Sequence, residues 1–116
     1  MAQPVIHFEI AVTNREKSTD FYSKLFDWKT QSPPGFDYTF VEPAGDKSIG
    51  GGIGPTMPGQ KPSVTFYVSA DDLQAYLDKA EQLGAKTIMP PTPIPGIGAS
   101  AMFADLDGNI IGLFKS

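Results

Sequence analysis

Hydrophobic and polar side chains alternate strictly over residues 5–12, which read Val-Ile-His-Phe-Glu-Ile-Ala-Val. The even positions form an unbroken apolar row: Ile6, Phe8, Ile10 and Val12. The odd positions between them hold His7, Glu9 and Ala11. Because successive side chains point to opposite faces of a strand, this period of two predicts a β-strand with one face in the core. His7 and Glu9 are then expected together on the other face.

The same strand pattern returns 58 positions later, which is half of the 116-residue length. Residues 64–68 read Val-Thr-Phe-Tyr-Val, so that Thr65 falls on His7 and Tyr67 falls on Glu9. The same offset also aligns Gly54 with Gly112 near the end of each half. The chain is therefore predicted to contain an internal repeat.

The first half predicts one helix and four strands. Asn14 is a suitable N-cap for a helix over 15–26, and four apolar residues recur there at helical spacing and are expected to pack as core. These four are Phe21, Tyr22, Leu25 and Phe26. Besides the strand over 5–12, strands are predicted over 28–31, 36–41 and 48–54.

The second half repeats this order. A strand over 64–68 leads to a helix that ends before Gly84, with Asp71 and Asp72 as caps and a capping box between Asp71 and Gln74. Further strands are predicted over 86–89, 99–104 and 110–114, with a stiff proline-rich loop over 90–96 and a turn over 105–109. Each half therefore follows the order βαβββ.

A module of four strands and one helix can cover only one face of its sheet. The expected fold is therefore α+β, with two paired modules that form a curved mixed sheet around a cup and with the helices outside. A single domain over 1–116 is predicted, with module 1 at about 4–54, a linker at about 55–62 and module 2 at about 63–116. The residues predicted to contact a small molecule in the cup are His7, Glu9, Thr65, Tyr67 and Phe114.

Composition excludes several classes of function. The net charge of −4 and the absence of a Lys/Arg cluster argue against nucleic acid as a partner. The chain has no cysteine, which rules out disulfides and thiolate chemistry and suits a cytoplasmic location. It has neither a signal-peptide pattern nor a long apolar run, so export and membrane insertion are not expected.

His7 and Glu9 are the candidate catalytic residues, because a histidine polarised by a carboxylate can act as a general base. The alternative is that His7 only satisfies neighbouring polar groups. Tyr67 can supply a phenol hydroxyl or packing area. The glycines of 50–54 precede proline and a strand rather than a helix, so they indicate a strand kept bare for a ligand or another backbone more than a phosphate site.

The chain resembles the vicinal oxygen chelate superfamily, which contains glyoxalase I, extradiol dioxygenases and bleomycin-resistance proteins. The resemblance rests on the His-Phe-Glu-Ile strand, on Asp20-Phe21-Tyr22 and Leu25-Phe26-Asp27-Trp28, and on 94–96 running to 105–109. Where the family usually has Asp-Pro-Asp-Gly, this chain has Leu106 in place of the proline.

The resemblance implies metal ligands on the first and last strand of each module. Carried over by position, they fall at His7, Gly54, Thr65 and Gly112. Of these four, only His7 is a good ligand, and catalytic metal sites normally use about three protein ligands. We therefore expect neither a metal nor another cofactor.

The sequence thus predicts a small-molecule-binding, glyoxalase/bleomycin-resistance-like protein that lacks the usual metal site and forms a homodimer. The alternative is a metal-dependent lyase or isomerase of the glyoxalase type that uses His7 and Glu9. A protein that only mediates interactions is the third class left open. The sequence does not decide whether the chain is an enzyme.

Overall fold

The computed structural model describes residues 2–116 and confirms an α+β fold with eight strands and two helices over that range. The N-terminal elements are β1 (Val5–Val12), α1 (Arg15–Phe26), β2 (Thr30–Gln31), β3 (Thr39–Val41) and β4 (Gly50–Pro55). The C-terminal elements are β5 (Ser63–Ser69), α2 (Leu73–Gln82), β6 (Lys86–Ile94), β7 (Gly98–Ala104) and β8 (Ile110–Lys115). Each half has the predicted order βαβββ.

The chain forms two compact units. The N-terminal unit comprises residues 7–65, and the C-terminal unit comprises residues 66–116 together with the described residues up to Ile6. In the N-terminal unit the strand order is β2-β3-β4-β1. Strand β1 pairs in parallel with β4, and β3 pairs antiparallel with both β4 and β2. A parallel pair requires a crossover connection, and α1 is part of it.

The C-terminal unit has the corresponding strand order β5-β8-β7-β6. Its buried core joins α2 to one face of the sheet and consists of Ala70, Leu73, Leu77, Ala101 and Leu113. Val68 and Phe103 pack against this core. Tyr67 and Phe114 lie on the opposite face, because neighbours along a strand alternate. Val68 therefore faces the core as predicted, but the prediction that the whole apolar row of β5 is core is wrong, because Val64 and Phe66 are exposed while Thr65 and Tyr67 of the other row are buried.

The strand register corrects the predicted alignment of the last strands. The two helices start 58 positions apart, at Arg15 and Leu73, in agreement with the sequence repeat. However, Glu9 lies opposite Gly52, whereas its counterpart Tyr67 lies opposite Gly112. Gly112 therefore corresponds to Gly52 and not to Gly54. A slip of two residues leaves every side chain on its face, so the hydrophobic pattern could not reveal it.

Helix α1 has the predicted bounds but not the predicted burial. Asn14 caps it by accepting a hydrogen bond from the Lys17 amide. All residues of α1 are described and none is buried. Phe21, Leu25 and Phe26 are each more than half exposed. The prediction that these residues form core is wrong, because the aromatic rings of α1 contact one another and Trp28 at the helix surface.

Trp28 connects this aromatic cluster to the sheet. Its ring centroid lies 5.4 Å from that of Tyr22 and 5.5 Å from that of Phe8 on β1. Both separations are within the range of favourable aromatic pairs. The apolar row of β1 is thus turned toward the segment that carries α1.

Helix α2 starts with a simpler cap than expected. The side chain of Asp72 accepts a hydrogen bond from the Ala75 amide, so Asp72 is the N-cap. Gln74 instead donates to Asp78 one turn further along the helix. The predicted capping box between Asp71 and Gln74 is therefore wrong, because the helix begins one residue later than that box requires.

The second half departs from prediction at the prolines. Strand β6 continues from Lys86 to Ile94 and includes Pro90, Pro91 and Pro93, where a loop was predicted. Its pairing with β7 shifts register twice. Proline lacks an amide hydrogen and is tolerated on outer strands, and β6 is the outermost strand of its unit.

The turn after β7 forms as predicted. Asp105 accepts hydrogen bonds from the amides of Asp107 and Asn109 and from the Asn109 side chain. Among residues 2–116, no helix combines the length and apolar character needed to cross a membrane.

Candidate active site on the N-terminal unit

The polar row of β1 lies on one face of the N-terminal unit. Glu9 is opposite Gly52 on β4, which is in turn opposite Phe40 on β3. Residues paired across neighbouring strands share a face, so His7, Glu9, Phe40 and the preceding Tyr38 side chain are on the same side. We call this side, defined by His7, Glu9, Tyr38 and Phe40, the site face.

A tyrosine hydroxyl joins the two candidate catalytic residues. The Nε2 atom of His7 lies 2.8 Å from Tyr38 Oη, and Tyr38 Oη donates to Glu9 Oε1 at 3.1 Å. A phenol has one proton, and an ionised carboxylate can only accept. When Tyr38 donates to Glu9, its oxygen must accept the proton on His7 Nε2. The three side chains thus form a chain of hydrogen bonds that runs from His7 through Tyr38 to Glu9.

The environment of His7 favours its neutral form. Burial lowers the pKa of His7 below its ordinary value, because the charged imidazolium loses solvation. A neutral histidine has a proton on one ring nitrogen and a lone pair on the other. With the proton on Nε2, the lone pair is on Nδ1. His7 therefore has the protonation state of a general base at neutral pH.

Two glycines of β4 provide the space for Tyr38. A methyl group on Gly52 would overlap the Tyr38 ring and hydroxyl, and one on Gly54 would come within 2.8 Å of Tyr38 Cδ1. The tyrosine ring therefore crosses β4 where that strand has no side chains. A ligand or another backbone was the predicted occupant of this space. The structure instead places a side chain of the same unit there.

Tyr38 is the site residue that sequence reasoning missed. Two signals pointed to it: the alternation Phe36-Asp37-Tyr38-Thr39-Phe40-Val41 and the run of glycines on the neighbouring strand. Each was interpreted alone. Considered together, an aromatic residue at a strand start and glycines at matching positions on the next strand predict a ring lying across them.

The residues at the expected metal positions do not fit a metal. Gly54 faces the Tyr38 ring, and a methyl group on Gly112 would overlap the Tyr67 ring. In the corrected register, Gly52 is the counterpart of Gly112 and Phe114 is the counterpart of Gly54. Neither Gly52 nor Phe114 has a metal-binding side chain. Within residues 2–116, His, Cys, Asp and Glu nowhere form a group of three or more that could bind a metal ion. The metal centre that the resemblance implies therefore lacks its ligands here.

The other predicted site residues lie as follows. Thr65 and Tyr67 are buried on β5, and Phe114 is partly buried on β8. The Tyr67 ring covers Gly112, much as the Tyr38 ring covers Gly52 in the other unit. Tyr67 and Phe114 share a face of the C-terminal unit, opposite to the α2 core.

Comparison with known proteins supports the family. A model of the Glyoxalase/Bleomycin resistance protein/Dioxygenase superfamily matches residues 5–113. The chain belongs to this superfamily. A Mycobacterium tuberculosis protein provisionally named glyoxylase CFP32 is 36% identical over 72 residues, which cover 62% of this chain. The chain spans only 28% of the length of that relative.

Two further members match over nearly the whole chain. A glyoxylase-like domain-containing protein of Didymella fabae is 28% identical and covers 87% of this chain and 84% of its own. The crystal structure of a superfamily member from Vibrio splendidus superposes with a TM-score of 0.68 at 12% identity, covering 99% of this chain and all of the other. This superfamily likeness in three dimensions confirms the fold.

Proposed function

We propose that this superfamily member binds a small organic molecule over the site face without using a metal ion. The observation that supports the proposal is the hydrogen-bonded chain of His7, Tyr38 and Glu9. It concentrates a carboxylate, a phenol and a neutral imidazole on one face of a small sheet. A few convergent polar groups of this kind are typical of small-molecule sites.

The chemistry of the chain indicates which ligand group it prefers. The Glu9 carboxylate and the lone pair of neutral His7 both accept hydrogen bonds, so a ligand with hydroxyl or cationic N–H donors is favoured over an anion. The Phe40 ring packs edge-on against Tyr38, with ring centroids 4.9 Å apart. This pair offers an apolar surface beside the polar groups. We expect a hydroxylated or cationic ring compound.

Tyr67 and Phe114 form an aromatic and apolar face on the C-terminal unit, and Thr65 precedes it on β5. We propose all three as ligand contacts. Tyr67→Phe removes only a hydroxyl from this face, so it is expected to reduce the affinity for an apolar ligand little.

Ligand-detected NMR with a panel of hydroxylated and cationic aromatic compounds tests the proposal. Removal of the Glu9 charge in Glu9→Gln should weaken binding of the best compound about tenfold, the loss expected for one charge-assisted hydrogen bond. Glu16→Gln is the matched control, because it removes the same charge from an exposed position in the first turn of α1. Equal affinity of Glu9→Gln and Glu16→Gln would contradict the assignment.

Proton transfer is the second candidate function. It is favoured by the neutral state of His7, whose Nδ1 can accept a proton while Tyr38 connects Nε2 to a carboxylate. Such an arrangement suits abstraction of a proton next to a carbonyl group. Incorporation of deuterium from D2O into the α-position of simple ketones and aldehydes, followed by proton NMR, tests it. The exchange should be faster with the wild type than with His7→Asn.

We also propose that the protein forms a homodimer. The outer side of α1 exposes Phe21, Leu25 and Phe26, each by more than half. A contiguous exposed apolar surface is typical of protein interfaces. The proposal therefore assigns this surface to contact with a second copy of the chain.

A further inference from the structure

Arg15 contacts the residues on both sides of Tyr38. It is the first residue of α1, and its side chain is only 20% exposed. Its Nε donates to Asp37 Oδ1 at 2.9 Å, and its Nη1 donates to Thr39 Oγ1 at 2.8 Å. One guanidinium group therefore holds two side chains that are separated in sequence by Tyr38 alone.

The location of Arg15 is electrostatically unfavourable for the helix. The N-terminus of a helix has a partial positive charge, so a cation in the first turn is disfavoured. Placing most of a guanidinium out of water adds a further cost. Helix formation therefore does not explain this residue, whereas its two hydrogen bonds to Asp37 and Thr39 do.

The Thr39 hydroxyl has three hydrogen-bond partners. Its hydroxyl accepts from Arg15 and from Thr19 Oγ1, the latter at 3.1 Å. Ser32 Oγ lies 2.9 Å away. A hydroxyl has one proton and two lone pairs, so Thr39 must donate to Ser32. The fully buried Thr39 therefore has all its hydrogen-bonding capacity used, which fixes its rotamer.

This network lies behind Tyr38. Arg15 binds both Asp37 and Thr39, so these side chains lie on one side of the sheet, whereas the Tyr38 ring lies over Gly52 on the other. Strand β3 begins only at Thr39, which is opposite Ile53. Tyr38 thus precedes the paired residues of its strand. Strand pairing fixes the backbone only from Thr39 onward. The contacts of Arg15 fix the chain on both sides of Tyr38.

We propose that Arg15 is a positioning residue that sets the Tyr38 hydroxyl between His7 and Glu9 from the opposite face of the sheet. The glycines of β4 leave room for the Tyr38 ring. The two hydrogen bonds of Arg15 fix the orientation of that ring. This inference rests on the proposed role of the site face and deepens it. It assigns a function to a residue whose side chain binds the two sequence neighbours of Tyr38.

The titration of His7 provides the test, because the chain has a single histidine whose ring signals are unambiguous by NMR. Arg15→Met should let Tyr38 move, expose His7 to water and raise its pKa toward the ordinary value of a histidine. Lys24→Met is the matched control. It removes a cation from the same helix, where Lys24 pairs with Asp20 at 2.9 Å. It should leave the His7 titration unchanged.

A second arm separates positioning from a general effect of charge or folding. If Arg15 acts through Tyr38, Arg15→Met should cause no further shift of the His7 pKa when added to Tyr38→Ala. A shift of equal size in both backgrounds would overturn the proposal, and so would an unchanged titration in Arg15→Met alone. Should Arg15→Met fail to fold, Asp37→Asn removes one of the two contacts at a side chain that is 71% exposed.

Asp37→Asn is expected to move the His7 pKa in the same direction by a smaller amount, and an unchanged titration there would equally overturn the proposal. The titration needs no ligand, so its outcome is independent of the binding experiment. If the His7 titration shifts as expected but Glu9→Gln does not change ligand binding, the proposed function is wrong and the role of Arg15 still holds.

Discussion

Gly52→Ala should displace Tyr38 from the site face without replacing any side chain of that face. The new methyl group would occupy the space of the Tyr38 ring and hydroxyl. The ring is the end of a side chain and can swing away, whereas strand β4 is fixed on both sides by pairing. We therefore expect a folded protein in which the hydrogen bonds from Tyr38 to His7 and Glu9 are broken.

The expected loss of stability follows from those two bonds. A neutral hydrogen bond contributes about 0.5–1.5 kcal/mol and one to a charged group about 1.5–3 kcal/mol, so the pair is worth roughly 2–4 kcal/mol. Replacing glycine by alanine restricts the unfolded chain and returns about 0.4–1 kcal/mol. The free energy of unfolding should therefore fall by about 1–4 kcal/mol.

Urea unfolding monitored by the fluorescence of Trp28, the only tryptophan, measures this change. Gly45→Ala is the matched control, because a methyl group there would meet no atom within 4 Å. In a Tyr38→Ala background, Gly52→Ala should cost almost nothing, since the two residues compete for the same space. Additive losses in the double variant, or a Gly52→Ala protein as stable as Gly45→Ala, would refute the steric argument.

Four further outcomes are expected. Burial lowers the pKa of His7 in the folded state, so the unfolded chain takes up a proton first as the pH drops. The free energy of unfolding should therefore fall from about pH 6.5 down through the folded-state pKa of His7. In His7→Asn this part of the pH dependence of stability should be absent. Phe8→Ala should cost about 2–3 kcal/mol in urea unfolding, because it removes the contact with Trp28 from a partly buried position, while Glu9→Gln should cost less. Elemental analysis after gentle purification should find well under one divalent metal ion per chain, and one equivalent of zinc, nickel or iron would show that the chain does supply metal ligands. Light scattering should give a dimeric mass at micromolar concentration that Phe26→Ser shifts toward the monomer, and a monomeric wild type would exclude the homodimer.

The order and type of the elements could be predicted because they depend on local signals. The period of two in β1 and β5 predicted which side chains share a face, and Asn14 marked the start of α1. Local signals do not report what covers a helix. The helical spacing of Phe21 and Leu25 is the same whether a partner covers them or not, so their exposure could not be read from the sequence.

The candidate site was predictable only in part for the same reason. His7 and Glu9 are two apart on one strand, and their shared face follows from strand geometry alone. Tyr38 reaches them from a strand that is not their neighbour, and only the register of β4 shows that Gly52 lies between. A two-residue slip in that register preserves all hydrophobic faces. The sequence therefore identified two members of the hydrogen-bonded chain and not the one that joins them.

The prolines of β6 have a consequence for how the protein behaves when it is concentrated or partly unfolded. An outer strand with free amide groups can recruit a strand from another molecule and start aggregation. In β6, Pro90, Pro91 and Pro93 have no amide hydrogen, so three of four consecutive positions cannot donate to an incoming strand. Continuous intermolecular pairing along this edge is thereby interrupted. Replacing Pro91 and Pro93 with valine would restore the donors and turn a protected edge into a template for insoluble sheet growth.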